Sequence, residues 1–176
     1  MNKSLPAAAI ILLCCAPAMA DDAADMKAAA GAFYAVSTAQ HSDGIPDAAG
    51  LAKLKPVVST SLNEALTAAD AAQARFRARN KNAPPLLEGD IFSSLFEGAM
   101  RFSVAACQGA GTRGQCSVAL SYDDKSGKPT AWNDTLMLVK DAGGWRADDI
   151  RYGGQWAFAN SGTLRDTLTL AAGLSR

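Results

Sequence analysis

Hydrophobic and polar positions along the chain change period once, near residue 100, and that change predicts helices first and strands after. From Asp22 to about Ala39 the residues Met26, Ala29, Ala30, Phe33 and Val36 recur at helical spacing and form one apolar stripe, which predicts a helix packed with that face inward. Gly44 and Pro46 break it in the stretch His41 to Pro46. A short apolar piece follows around Leu51 and Leu54. Ser61-Leu-Asn-Glu64 then reads as a capping box that opens a long helix, with Leu62, Ala65, Leu66, Ala69, Gln73 and Phe76 on one face. The cations Arg75, Arg77, Arg79 and Lys81 near its end complement the helix dipole. Asn82-Ala-Pro-Pro85 stops the helix, and Leu86 to Gly98 reads as a compact turn with large apolar anchors.

Beyond this point the period is two. Met100 to Cys107 alternates Phe102, Val104 and Ala106 against Arg101, Ser103 and Ala105, and Cys116 to Tyr122 alternates Cys116, Val118, Leu120 and Tyr122 against Ser117, Ala119 and Ser121. Trp132 to Lys140 places Trp132, Asp134, Leu136 and Leu138 on one face, and Gly143-Gly144 turns tightly into a fourth strand from Trp145 to Tyr152. After Gly153-Gly154 and Trp156 to Asn160, a last short helix spans about Leu164 to Leu174. The expected fold is α+β: N-terminal helices packed on a curved antiparallel sheet of about four strands, cone-like, with a short C-terminal helix.

The first twenty residues stand outside this pattern. Lys3 precedes an apolar run from Leu5 to Ala18 that ends in Ala18-Met19-Ala20, the layout of a cleaved signal segment with its cut before Asp21. Pro6 and Pro17 interrupt the run, which falls short of the roughly 20 residues of a spanning helix. A lipoprotein acylated at Cys15 is the alternative, against which Leu13 and Cys14 make a poor lipobox. Residues 1–20 are therefore read as signal peptide and 21–176 as a single domain. The expected location is periplasmic.

Charge then excludes some partners. The chain has 17 Lys and Arg against 17 Asp and Glu, one His and four Cys, so no basic footprint points to nucleic acid. Two of the cysteines belong to the mature part. Cys107 and Cys116 bracket a glycine-rich turn between two strands, and in an oxidising compartment that spacing suits a disulfide closing the hairpin, a local staple of at most about 2.7 kcal/mol.

Four stretches carry a resemblance: Phe33-Tyr34, Pro84 to Phe92, Leu136 to Val139, and Gly144-Trp-Arg-Ala-Asp-Asp-Ile-Arg-Tyr152. They resemble an uncharacterised family of secreted proteins and lipoproteins of Gram-negative bacteria, and the order of elements looks like the cone fold of the nuclear-transport-factor-two-like superfamily. The resemblance implies fold and compartment. It carries over no catalytic residue.

Candidate chemistry is thus sought residue by residue. His41 is the only histidine and sits in a loop, so no metal site or cofactor is expected. Asp90 reads as the cap of a short helix, and Asp148 and Asp149 as a solvated edge or as partners of Arg146 and Arg151. If function attaches here, Glu88, Asp90, Asp149, Arg151 and Tyr152 converge at one rim, because the segment before the first strand and the end of the last share an edge of a cone. The leading functional expectation is a non-catalytic periplasmic binding or accessory domain, for an envelope protein partner or small ligand, of an inhibitor or immunity-like kind. The alternative is a small isomerase-like, dehydratase-like or hydrolase-like enzyme with Asp149 or Asp134 as base and Tyr152 as donor. A homodimer through the sheet face is open.

Overall fold

The computed structural model describes residues 17–41, 43–125 and 127–174 of the chain. The charged start and most of the apolar run of the expected signal segment, with Cys14 and Cys15, lie outside the described residues. Eight elements follow in order: α1 (Pro17–Gln40), α2 (Ala48–Leu54), α3 (Thr60–Arg79), β1 (Arg101–Ala110), β2 (Arg113–Tyr122), β3 (Thr130–Asp141), β4 (Gly144–Arg151) and α4 (Leu164–Leu174). The backbone of α1 is helical across the expected cut after Ala20. The architecture is α+β, with the four strands in one antiparallel meander ordered β1-β2-β3-β4.

Helix α1 lies along the sheet and buries Met26, Ala30, Phe33, Tyr34 and Ser37. Phe33 meets both Tyr34 and Phe92 edge to face, and Tyr34 stacks on Phe102, so three elements share one aromatic cluster. Asp22 near the start of α1 bonds Lys140 at 2.5 Å and accepts from the Trp145 indole, which fixes that end against the β3–β4 hairpin. The direction of α1 follows. Its beginning stands at the hairpin tips and its C-terminal part at the other end of the sheet, where the segments 84–100, 123–125, 127–129 and 152–163 gather.

Two bulges modify the alternation. In β1 the pairing jumps between Val104 and Cys107, opposite Val118 and Cys116, so one extra residue is accommodated. Ala106, expected on the inward face, is exposed for this reason. Beyond the bulge Cys107 and Cys116 stand directly opposite and form a disulfide, with their Cα atoms 4.1 Å apart. In β4 the register jumps across Asp148, which has no partner in β3 while Ala147 faces Leu138 and Asp149 faces Met137. Asp148 and Asp149 are turned by that bulge toward α3 and α4. They do not pair with Arg146 and Arg151: Asp148 accepts from Ser59 Oγ at 2.5 Å and from Arg165 at 2.7 Å, and Asp149 accepts from the backbone N–H of Arg165 at 3.0 Å.

The outer edge of β4 is covered rather than bare. Val58 pairs with Ala147 in parallel, through Ser59 N–H to the Ala147 carbonyl and Ala147 N–H to the Val57 carbonyl, and Arg151 pairs with Thr163. This tether moves the start of α3 from the expected Ser61 to Ser59, whose hydroxyl caps the N–H of Leu62 at 2.9 Å while donating to Asp148. A cap is worth about 1 kcal/mol by itself. Ser59→Ala removes the cap and a donor to Asp148 together, so urea unfolding should show a loss of about 2 kcal/mol. Thr60→Ala, one residue on and exposed, should show almost none.

Candidate functional site

Asp134 is the polar exception on the apolar face of β3. Period two sends it inward beside Trp132 and Leu136, and it is 1% exposed. A carboxylate there is tolerated only when its lone pairs are filled. Its Oδ2 accepts from Ser94 N–H at 2.9 Å and from the Trp132 indole at 3.1 Å, and its Oδ1 accepts from Gly153 N–H at 2.8 Å and from the Ser94 hydroxyl. Ser94 Oγ also accepts from Gly153 and Gly154 at 3.0 and 2.9 Å. Both glycines are required by space. A Cβ on Gly153 would stand 2.0 Å from the Asn133 carbonyl, and one on Gly154 would stand 2.7 Å from both Ser94 and Trp156.

Around this centre the irregular segment 86–99 is fastened by side chains from other elements. Tyr152 donates to the Ile91 carbonyl at 2.7 Å, Asn160 Nδ2 donates to the carbonyls of Asp90 and Ser93, and Gln73 of α3 accepts from Leu86 N–H. Asp90 accepts from Phe92 N–H, but the residues after it form bends and turns, so the helix it was expected to cap does not exist. Burial pushes its carboxyl up to about 7, against the opposing pull of the Phe92 and Ser93 N–H groups. Burial also raises the hydroxyls of Tyr34 and Tyr152 above the ordinary phenol value, with Asp90 and Asp134 adding to it.

The structure brings together only part of the expected rim. Asp90 and Tyr152 are neighbours beneath the surface, and the charge of Asp149 reaches Tyr152. Glu88 and Arg151 are exposed. Sequence reading passed over Ser94, Asn160 and the buried role of Asp134. The legible signal was an Asp on the otherwise apolar inward face of a strand, beside Trp132 and Leu136.

What the cluster can do chemically is bounded by these bonds. Asp134 is saturated with donors and shielded from solvent. Asp149 serves the first turn of α4, and the Tyr152 hydroxyl is spent on a backbone carbonyl. The arrangement holds loops in place. Among the described residues no group of three or more His, Cys, Asp or Glu side chains could hold a metal ion, and no helix is long and apolar enough to cross a membrane.

The loops so fastened carry most of the exposed large apolar side chains. Phe158 is 97% exposed, Phe96 53% and Met100 50%. Phe158 also has φ 69°, a left-handed backbone that disfavours residues with a Cβ by about 1–2 kcal/mol. The same end of the sheet carries a shallow groove of about 460 Å³ lined by Ala131, Trp132, Asn133, Gly153, Gln155 and Trp156.

The fold and site thus define an α+β domain whose loop end is organised by a buried carboxylate. No family model matches the chain, and no solved structure does. The chain is 30% identical over 115 residues to the uncharacterized lipoprotein YbjP of Escherichia coli (strain K12), a stretch that covers 65% of this chain and 62% of that protein.

Two outcomes test the cluster. Asp134→Asn turns an amide N–H toward donors, so at least one buried N–H loses its acceptor. Chemical denaturation should show a loss of about 2–3 kcal/mol with a shared baseline of secondary structure. For Asp90 the sign runs the other way. Its folded value, about 7, lies above the ordinary 3.8, so the folded state holds a proton that the unfolded chain releases, and this group's contribution to stability falls as pH rises between those values. Asp90→Asn keeps an acceptor for Phe92 N–H without the charge. It should raise the Tm at alkaline pH and lose that advantage in acid, and an advantage independent of pH would contradict the assignment.

Proposed function

We propose that the protein is a non-catalytic binding domain of the bacterial envelope, secreted through residues 1–20, and that its contact surface is the loop end of the sheet. The observation that carries this reading is Phe158, a phenyl ring held in water on a left-handed backbone in a loop that Gly153, Gly154 and Asn160 fasten to Ser94 and its neighbours. Folding gains nothing from that ring. Exposed, strained side chains on rigidly supported loops belong to contact surfaces. The candidate acid and base groups, by contrast, are all engaged in holding backbone.

The proposal includes kinship to the cone-fold superfamily and a periplasmic location, and the likeness to a lipoprotein supports an association with the envelope. The polarity of the molecule fits as well. The N-terminal part of α1 lies at the hairpin tips, at the opposite end of the sheet from the loops that carry Phe96, Met100 and Phe158.

The reading is tested by cosedimentation of the purified protein with washed envelope fragments. Wild type should sediment, and Phe158→Gly should remain in the supernatant with its Tm unchanged or raised, because glycine relieves the left-handed strain and the ring buries nothing. Equal sedimentation of the two proteins would overturn the proposal.

A further inference from the structure

We infer that the loop between β4 and α4 inserts Phe158 into the interfacial layer of a phospholipid bilayer. The inference rests on the loop end being the contact surface and names what that surface meets. Ala159 N–H donates to the Trp156 carbonyl at 3.2 Å and closes a tight turn whose central residues are Ala157 and Phe158. Phe158 takes the third position of that turn with φ 69°, where a positive φ favours glycine or asparagine. Local propensity is thus set aside to place a phenyl ring, 97% exposed, between two alanines. The turn is held by its neighbours. Trp156 packs edge to face on Trp132, and Asn160 donates through Nδ2 to the carbonyls of Asp90 and Ser93 and through its N–H to that of Ser94.

Charge and shape favour lipid over a protein partner. From Tyr152 to Leu164 the chain holds no Asp, Glu, Lys or Arg, although Gly153, Gln155, Ala157, Phe158, Ser161 and Gly162 are exposed. A charge-free segment enters the boundary of headgroups and acyl chains without stripping water from an ion, and aromatic rings suit that depth. Phe96, Met100 and Phe158 together expose roughly 400 Å² of apolar surface, against about 800 Å² that each partner brings to a standard protein interface. A ring standing alone between alanines needs a matching pocket on a protein, whereas lipids close around a convex shape wherever it lands. At the same end of the sheet Asp123 and Asp124 offset Lys125 and Lys128, and Glu88 and Glu97 offset Arg101 and Arg151. Anionic lipid therefore gains no special hold.

The test is cosedimentation of the purified protein with vesicles of phosphatidylcholine alone and of phosphatidylethanolamine with phosphatidylglycerol. Wild type should bind both alike, and binding should survive high salt, because the inserted loop carries no charge. Phe158→Asn suits the turn and should keep or raise the Tm while partitioning about tenfold more weakly. Phe158→Trp should bind at least as well as wild type, with an added emission that shifts to shorter wavelength on vesicles and is quenched by brominated acyl chains. Absence of wild-type binding to vesicles, equal partitioning of Phe158→Asn, or binding confined to the anionic vesicles and abolished by salt overturns the inference. Envelope fragments separate that failure from failure of the broader reading. Wild type retained by untreated fragments, but by neither vesicles nor protease-treated fragments, meets a protein at the loop end, and the lipid is removed. Equal retention of wild type and Phe158→Gly on the fragments removes both.

Discussion

A carboxylate cannot sit in an apolar core without donors, and the loop end of this protein is the solution to that constraint at Asp134. Four donors converge on it from three segments: the indole of Trp132 on its own strand, both polar groups of Ser94, and the backbone N–H of Gly153. Each donor fixes a different piece of chain. Ser94 anchors the segment that leads into β1, and Gly153 anchors the turn that leaves β4. A buried ionised group is poor evidence for stability by itself, since replacing a whole network with apolar residues is often neutral. Its value here is in specificity, because the only geometry that satisfies the carboxylate is one in which these loops lie against each other. Tyr152 and Asn160 extend the same logic to the carbonyls of segment 90–93, which has no ladder of its own to join.

Much of the scaffold was legible because it rests on local periodicity. The inward stripe of α1, the alternation of β2 and β3, the four-strand meander and the closing helix all follow from the spacing of Phe33, Val118, Leu136 and Leu168. The disulfide was legible from compartment and spacing. Illegible features are those in which a distant segment decides a local conformation. The shift of the α3 cap from Ser61 to Ser59 depends on pairing with Ala147, 88 residues away in sequence. The bulge that exposes Ala106 and the one that releases Asp148 leave no trace in the alternation around them. For the candidate site, the individual residues Asp90, Asp134, Asp149 and Tyr152 were nameable, but their roles were not, since whether a carboxylate is a base or a fastener depends on what donates to it.

The bulge at Asp148 shows how one added residue organises a whole side of the molecule. Without it, Asp148 and Asp149 would point to opposite faces of β4. With it, Asp148 reaches Ser59 and Arg165, and Asp149 reaches the backbone at the start of α4, so the ends of two helices are set by two adjacent residues of a strand. The Asp148–Arg165 pair is partly exposed and adds modestly to stability. Its consequence is positional: α4 is held beside α3 at the otherwise open edge of β4, which leaves the edge of β1 as the uncovered one among the described residues.

The contrast between the two ends of the sheet then bears on function. At the hairpin tips, where α1 begins, charge is neutralised locally by Asp22 and Lys140, and the disulfide tightens the β1–β2 hairpin. At the loop end, an extensive buried hydrogen-bond network supports a surface that is apolar, exposed and in one place conformationally strained. Stability alone favours burying Phe158 or replacing it with glycine, and Asp90 would be less costly as an amide. These unfavourable choices lie within one loop cluster, and the bonds of Asp134, Ser94 and Asn160 make them tolerable. Rigid support beneath an unfavourable surface is what a preorganised contact requires, because ordering the loops has already been accounted for in folding and is not charged again on binding.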